Sequence, residues 1–431
     1  MAGVGSRIAR IALVGLSVGW LSIAAAAERG DTDWPRFRGP GGQGVSTAAG
    51  LPLKWSSTEN VRWKTPLPGP GTSSPVVVGR RVFLTCYSGF GVPGLPTGTQ
   101  EDLRLHVLCL DRDTGEILWN RTLQPRLPEQ PGIREAHGYA SSTPVADDER
   151  LYVYFGNSGV YAFDFQGEQL WHRDVGSKLH PWGSGASPIL WQDLLIVNAS
   201  IESGCAVALN RQSGQEVWRA QGIREAWNTP LVLTLPDGTS ELVLAMQGKV
   251  VGLDPAGGRE LWNCASDITW YIVPSVVAHE DVVWCLGGRS GTAAVAVRAG
   301  GRGDVTATHR LWTGARGSNV PSPIVHDGHL YWMHEGRGTA FCAEAATGRI
   351  VYEQAIRPRA GQVYASPVLA DGRLFYLNRK GQTFVLAASP TFELLAVNDL
   401  ADGSTFNASP APSGDRLLLR SDRFLYCIAG D

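Results

Sequence analysis

A short hairpin-like segment recurs along the chain. Its clearest copy is residues 105–119, LHVLCLDRDTGEILW, in which an apolar run meets a tight turn and leads into a second run. Asp111 can accept hydrogen bonds from the turn amides, and Gly115 supplies a positive φ that a side chain would resist. Related segments end at Trp171, Trp218 and Trp262. Repetition of one such unit constrains the fold far more than a single hairpin would.

A second signal precedes each copy: a small residue beside a proline that opens an apolar run. The pairs are Ser74-Pro75, Thr143-Pro144, Ser187-Pro188, Thr229-Pro230, Pro274-Ser275, Ser322-Pro323, Ser366-Pro367 and Ser409-Pro410. After the first interval, neighbouring prolines are 42 to 49 residues apart. This period is typical of propeller blades of four strands each. Helix-pair solenoids can share the period, but these runs are short, β-branched and bounded by turns. The sequence therefore predicts eight blades.

The two ends of the chain look like parts of one blade. Residues 60–67, NVRWKTPL, resemble an outer strand with Trp63 in the position of the other repeat tryptophans, but no blade precedes them. Residues 416–429 resemble inner strands that stop before an outer one. Pairing the N-terminal strand with the C-terminal blade closes the ring and leaves no long unpaired edge. We therefore predict an all-β, eight-bladed β-propeller of four-stranded antiparallel blades.

Three segments are predicted along the chain. Residues 1–27 have the pattern of a signal peptide, with Arg7 and Arg10, an apolar run, and Ala25-x-Ala27 as the cleavage site. An uncleaved membrane anchor is the alternative, although the apolar run is short for a span. Residues 28–60 form a Gly- and Pro-rich lead-in, and residues 61–431 form the propeller. We expect a periplasmic or secreted protein without a lipid anchor or an integral membrane segment after cleavage.

No motif nominates a catalytic or metal-binding residue. His326, His329 and His334 lie close in sequence, but the Asp-Gly turn among them needs no metal. The seven cysteines invite a disulfide interpretation, and a bridge between Cys86 and Cys109 stays open; Cys109 instead occupies a position where other repeats carry small core residues. The formal net charge of −2 argues against a general nucleic-acid binder.

The connections that lead into each inner strand are aromatic and polar. If the blades form a ring, these connections meet at one mouth of the central channel, which predicts a concave binding site. The candidate residues are His137, Tyr139, Trp182, Trp227, Asn228, Tyr271, Asn319, Tyr364 and Asn407. The alternative is that they only plug the channel and cap backbone groups. The repeat tryptophans are instead predicted to pack between blades: Trp63, Trp119, Trp171, Trp218 and Trp262.

The repeat resembles the tryptophan-docking motif of pyrroloquinoline quinone (PQQ) propellers. Two segments carry it best, residues 109–119 and 208–218, and an N-terminal block, residues 33–40 (DWPRFRGP), is similar to one found in exported bacterial members. Within that family, the quinoprotein alcohol and glucose dehydrogenases use PQQ, a calcium ion and a catalytic Asp. A related propeller lipoprotein of outer-membrane assembly binds proteins and performs no chemistry.

The resemblance thus implies two classes of function. The chain has no adjacent-cysteine pair like the one beneath the cofactor of the alcohol dehydrogenases. We therefore expect a non-catalytic scaffold that binds a small-molecule ligand or an envelope protein. The alternative is a PQQ-dependent dehydrogenase that oxidises alcohols or sugars, with calcium as a second cofactor.

Overall fold

The computed structural model describes residues 1–3, 33–96, 98–132, 137–289 and 291–430. Nearly all of the predicted signal peptide lies outside these residues. The described chain forms eight antiparallel sheets of four main strands each, which confirms the eight-bladed propeller. Helix in the described residues is limited to one four-residue α-helix, α1 (Thr306–His309), and three short 3-10 turns, Pro40–Gly42, Gln100–Asp102 and Gly156–Ser158. None of the helices in the described part is long and apolar enough to cross a membrane.

The strands follow one another from the inside of each blade to its outside. Blades 1 to 4 contain β2 (Val76–Val78), β3 (Arg81–Ser88), β4 (Arg104–Asp111) and β5 (Ile117–Leu123); β6 (Val145–Ala146), β7 (Arg150–Tyr154), β8 (Val160–Asp164) and β9 (Gln169–Arg173); β10 (Ile189–Trp191), β11 (Leu194–Ala199), β12 (Cys205–Asn210) and β13 (Glu216–Gln221); and β14 (Leu231–Thr234), β15 (Ser240–Met246), β16 (Lys249–Leu253) and β17 (Glu260–Ala265).

The second half of the ring repeats this order. Blades 5 to 7 contain β18 (Val277–His279), β19 (Val282–Leu286), β20 (Ala294–Arg298) and β22 (Arg310–Gly314); β23 (Ile324–His326), β24 (His329–Met333), β25 (Thr339–Glu344) and β26 (Ile350–Ala355); and β27 (Val368–Ala370), β28 (Arg373–Leu377), β29 (Gln382–Ala387) and β30 (Leu394–Asp399). A short strand, β21 (Gly303–Asp304), adds to β17 in parallel.

Blade 8 is built from both ends of the chain. Its inner strands are β31 (Ala411–Ser413), β32 (Arg416–Arg420) and β33 (Phe424–Ala429), and its outer strand is β1 (Val61–Pro66). Trp63 of β1 pairs with Cys427 of β33 in an antiparallel register. The predicted closure of the ring is therefore confirmed.

The core lies between neighbouring blades. A middle strand such as β11 is buried along its whole length, because both faces of the sheet are covered. All seven cysteines are buried and free, so Cys86 and Cys109 do not form a bridge. Both cysteines instead fill small spaces in the core. Cys109, for example, lies opposite Trp119 on the neighbouring strand.

Five of the six outer-strand tryptophans dock onto the next blade. Each donates an Nε1 hydrogen bond to a carbonyl in the turn between that blade's third and fourth strands; they are Trp63, Trp119, Trp171, Trp218 and Trp312. The indole of Trp218 also covers Gly258, whose φ is 72° and where a Cβ would lie 2.5 Å from the ring. The turn needs glycine for both reasons.

Trp262 occupies the equivalent strand position but has a different partner. In blade 5, the expected turn is replaced by β21 and α1. The Trp262 Nε1 therefore donates to the buried Glu241 carboxylate at 2.6 Å. Glu241 also accepts hydrogen bonds from the Gly300 amide and the Arg302 guanidinium, both at 3.1 Å. A buried carboxylate thus fastens the irregular blade junction.

The small residues beside the prolines form a closed belt around the channel. Each backbone amide donates to the side-chain hydroxyl of the equivalent residue in the next blade, from Ser74 through Ser409 and back to Ser74; the members are Ser74, Thr143, Ser187, Thr229, Ser275, Ser322, Ser366 and Ser409. The distances are 2.8 to 3.1 Å. The repeated hydroxyl therefore satisfies an amide that has no strand partner at the crowded axis.

The N-terminal lead-in crosses the opposite end of the channel, which we call the base face. It makes hydrogen bonds to the inner-strand regions of blades 1, 2, 4, 5, 6 and 7 through Trp34, Pro35, Arg36, Gln43, Arg38 and Gly44. The Arg38 guanidinium by itself makes four of these hydrogen bonds or supports them, donating to the carbonyls of Gly42, Gln43, Ser322 and Pro323. The segment closes the base and leaves the other end, the mouth face, as the accessible entrance.

Candidate functional site

A cavity of about 230 Å³ lies at the mouth of the channel. One residue from the approach to each inner strand lines it, always two positions before the belt residue: Thr72, Ser141, Gly185, Trp227, Val273, Val320, Tyr364 and Asn407. The belt lies directly beyond these residues along the chain. The cavity therefore has an eightfold floor in which the backbone position repeats while the side chain differs among the blades, apart from the two valines of blades 5 and 6.

Aromatic rings form the wall on the side of blades 3 to 5. The rings of Trp227 and Tyr271 meet at 65° with centroids 5.3 Å apart, and Trp182 lies 6.0 Å from Tyr271. A parallel backbone bridge between Ala226 and Ile272 holds the two connections together, with the Trp227 amide donating to the Ile272 carbonyl at 2.7 Å. The wall is therefore preorganised by the backbone rather than by the rings alone.

Polar groups adjoin this wall at blade 6, where the Asn319 Nδ2 donates to the Tyr271 hydroxyl at 3.5 Å. Glu335 accepts hydrogen bonds from the Asn319 amide at 3.0 Å and the Ser318 hydroxyl at 3.2 Å. The Asn319 Oδ1 is buried and has no hydrogen-bond partner within the described chain. Arg289 is exposed at the rim. The site thus combines a flat apolar wall with one carboxylate, one guanidinium and a free amide oxygen.

A second guanidinium, that of Arg379, supports the lining of the cavity on the side of blades 7 and 8. Arg379 lies over the Tyr364 ring at 4.7 Å from its centroid, and its Nε donates to the Asn407 Oδ1 at 2.9 Å. Arg379 also donates to the Gln362 side chain at 2.9 Å. These contacts hold Tyr364 and Asn407, which both line the cavity, in place. Arg379 itself lines a smaller adjoining pocket that shares Thr72, His137 and Asn407 with the main cavity.

Seven of the nine sequence-predicted site residues line the cavity: His137, Trp182, Trp227, Tyr271, Asn319, Tyr364 and Asn407. Tyr139 does not, because its hydroxyl donates to the Gln130 carbonyl and its ring packs against Tyr87. Asn228 is fully buried and bonds both the amide and the carbonyl of Ala245. Asn228 therefore caps the backbone, as the alternative interpretation of these connections proposed.

Sequence reasoning missed two kinds of lining residue. Small members of the eightfold floor, such as Gly185 and Val273, carry no chemical signal of their own, but their fixed offset from the belt residue could have identified them. Arg289 and Glu335 instead come from the turns between the second and third strands. In a four-stranded antiparallel blade these turns lie on the same face as the connection into the next blade.

The same rule places the two long insertions beside the mouth. Residues 89–103 connect β3 to β4, and residues 124–144 connect β5 to β6, so the described ends of both insertions lie on the mouth face. Four large apolar side chains are exposed on mouth-face loops: Leu95, Leu127, Leu179 and Trp270. These four side chains lie on four separate mouth-face loops.

The described residues contain no cluster of three or more His, Cys, Asp or Glu side chains that could hold a metal ion. His329 lies on the base-face hairpin, where its Nδ1 contacts the Asp327 carbonyl at 2.7 Å. His334 instead lies on the mouth face beside Glu335. The three histidines are thus divided between the two ends of the blade, with His334 apart from His326 and His329.

The comparisons with known proteins agree on the fold. A family model described as outer membrane protein assembly factor BamB matches residues 104–354, more than half of the chain. BamB from Moraxella catarrhalis is similar in structure with a TM-score of 0.58 and 14% identity, over 85% of this chain and 97% of that one. No curated protein sequence matches the chain.

Two solved enzymes share the architecture to a similar degree. The quinohemoprotein alcohol dehydrogenase from Comamonas testosteroni gives a TM-score of 0.61 and 12% identity, over 94% of this chain and 82% of that one. A europium-containing methanol dehydrogenase gives 0.63 and 12%, over 91% and 90%. The TM-scores show a shared fold, and sequence identities this low leave the activity open. The chain belongs to the family of PQQ-like β-propellers whose model is described as outer membrane protein assembly factor BamB.

Proposed function

We propose that this protein is an exported binding protein that holds a small organic ligand in the mouth cavity and performs no chemistry on it. The observation that carries the proposal is the asymmetry of the cavity, in which a wall of Trp182, Trp227 and Tyr271 is bordered on one side by Asn319 and Glu335. Apolar pockets with a few placed polar groups are the usual form of a small-molecule site. A ligand with a flat apolar face and a polar edge fits this arrangement.

A direct test combines native mass spectrometry of the purified protein with a thermal-shift screen of sugars, amino acids and small organic acids. Trp182→Ala and Tyr364→Ala are expected to weaken any ligand found by at least about tenfold, the loss of one aromatic contact. Trp191→Ala is the matched control, since that half-buried tryptophan ends β10 on the base face. Equal loss of binding in the control would contradict the proposed site.

The dehydrogenase alternative has one structural observation in its favour. The partnerless Asn319 Oδ1 and the Glu335 carboxylate are adjacent oxygen donors of the kind that calcium takes. However, Glu335 is the only carboxylate among the described residues that line the cavity. Calcium needs six or more oxygens, and the related enzymes use a further Asp in catalysis. The residues present fit such a centre only in part, and we derive no oxidation step from them.

Calorimetry with PQQ, with and without calcium, separates the two functions when it is combined with a dye-linked assay on alcohols and sugars. We expect no turnover. Tight stoichiometric binding of PQQ with turnover would replace our proposal by the dehydrogenase.

A protein partner is a second candidate, supported by the exposed apolar residues around the mouth. Leu95 is 63% exposed on the first insertion, and Trp270 is 39% exposed near the aromatic wall. Aromatic residues such as Trp270 are enriched in protein–protein interfaces relative to the rest of the surface. Cross-linking of the protein in envelope extracts, compared with a Leu95→Ser and Trp270→Ser variant, tests this function. Unchanged cross-links in the variant would argue against a mouth-face interface.

A further inference from the structure

Several hydrogen-bond donors that line the mouth cavity are already used inside the protein. The Trp227 Nε1 donates to the Gly183 carbonyl at 2.8 Å. The hydroxyls of Thr72 and Ser141 both donate to the His137 carbonyl, at 3.4 and 2.8 Å. These three lining groups therefore offer a ligand a ring face and oxygen lone pairs, because their protons already have acceptors.

Two acceptors beside the aromatic wall have unused capacity. Asn319 is 3% exposed, and its Oδ1 has no hydrogen-bond partner among the described residues. The Asn319 amide and the Ser318 hydroxyl both donate to the same atom of Glu335, Oε2, which leaves Oε1 without a partner in the described chain. A buried acceptor left unpaired is costly and rare in native proteins. A ligand that donates hydrogen bonds at this place would remove that cost.

The charge of Glu335 is not balanced by a fixed cation. Its one ion-pair contact among the described residues is to His334, whose Nδ1 lies 3.5 Å from Oε2. That nitrogen accepts a hydrogen bond from the Gly336 amide at 3.2 Å, so it holds a lone pair and cannot donate to the carboxylate. Arg289 also lines the cavity but is exposed at the rim, and Arg379 lines the adjoining pocket.

We propose that the mouth cavity takes a ligand with a protonated primary amine, which donates to the Glu335 carboxylate and to the Asn319 Oδ1. A flat apolar body on the same ligand packs against the wall of Trp182, Trp227 and Tyr271. This assignment rests on the proposed function and names the chemical class of its ligand. Two oxygens are too few for calcium, but they suit an ammonium group, whose third N–H can meet water. The aromatic faces also attract a cation.

The test is calorimetric titration of the whole purified protein near neutral pH with three probes of one shape. Phenethylamine, 2-phenylethanol and 3-phenylpropionate share a phenyl ring and a two-carbon linker, and they end in an ammonium, a hydroxyl and a carboxylate. Phenethylamine is expected to bind at least about tenfold more tightly than the other two, the contribution of one hydrogen bond to a charged group.

The outcomes separate this assignment from the proposed function. Equal or tighter binding of 2-phenylethanol or 3-phenylpropionate would overturn the amine assignment and leave the cavity as a small-molecule site. Binding of none of the three probes would also overturn it, and the proposed function would then depend on the wider ligand screen.

Glu335→Gln is the discriminating variant, because it removes the charge while the amide oxygen can still accept from the Asn319 amide. It should weaken phenethylamine by at least about tenfold and leave 2-phenylethanol unchanged, whereas Trp182→Ala should weaken both. Glu168→Gln is the matched control, since Glu168 is exposed on the base face and pairs with Arg121. Unchanged phenethylamine affinity in Glu335→Gln, or an equal loss in Glu168→Gln, would overturn the assignment.

Discussion

The two faces of the ring are built on opposite principles. On the base face, the same interaction recurs in blade after blade: an indole covers a turn glycine and donates to a neighbouring carbonyl. The lead-in adds hydrogen bonds to six blades there. On the mouth face, eight equivalent positions carry eight side chains that range from Gly185 to Trp227. Repetition serves stability, and departure from repetition marks the surface that is free to acquire a specific function.

If this contrast is correct, the largest loss of stability comes from the base face. Trp218→Ala removes a 7% exposed indole together with its 3.0 Å hydrogen bond to the Pro255 carbonyl. We expect the free energy of unfolding to fall by about 3–5 kcal/mol, measured by urea denaturation. Trp270→Ala on the mouth face should change it by less than about 0.5 kcal/mol. Similar losses in both variants would remove the distinction between the faces.

The two buried arginines of the lead-in sharpen the comparison within the base face. Burial lowers the pKa of Arg36 to about 10 and that of Arg38 to about 9, so both stay charged at neutral pH. Arg38 donates to four carbonyls, whereas within the described residues Arg36 makes one side-chain hydrogen bond, at 3.4 Å to the Pro230 carbonyl, and its Nε has no partner there.

Arg38→Met should therefore destabilise the protein by about 2–3 kcal/mol, because buried carbonyls lose a charged donor. Arg36→Met should be close to neutral, since the desolvation cost of the charge disappears with it. Differential scanning calorimetry of the two variants gives the comparison. A larger loss for Arg36→Met would mean that charge, rather than hydrogen bonding, holds the segment.

The smallest expected effects concern two asparagines that the sequence placed in one class. Asn228→Ala removes two hydrogen bonds to the Ala245 backbone and should lower the free energy of unfolding by about 1–2 kcal/mol without changing ligand affinity. Asn319→Ala removes a side chain whose Nδ2 donates to the Tyr271 hydroxyl at 3.5 Å. It should lower the affinity for the ligand and leave the free energy of unfolding nearly unchanged. Thermal shifts and titration with the ligand found in the screen measure both. A loss of affinity in Asn228→Ala would return that residue to the site.

The architecture could be predicted because each blade repeats the same physical requirements. The prolines set the period, the Asp-x-x-Thr-Gly turn sets the hairpin, and the unmatched strand around Trp63 required closure with the C-terminal blade. The belt hydroxyls appeared in the sequence as small residues beside proline, although their hydrogen bonds to one another became visible only in the ring. Where the repeat itself changed, at blade 5, the partner of Trp262 could not be foreseen.

The candidate site depended on information that the repeat does not contain. Chain order located the mouth connections, and so it identified Trp182, Tyr271 and Tyr364 as candidates. It did not separate Asn319 from Asn228, although Asn228 lies one position and Asn319 three positions before the belt residue, because only the folded blade shows that the first position meets the Ala245 backbone. It also gave no reason to bring Arg289 and Glu335 to the same rim. The sequence by itself determined the ring and its closure through local, repeated patterns, whereas only the tertiary structure decided which side chains face a common space, because that depends on packing among distant blades.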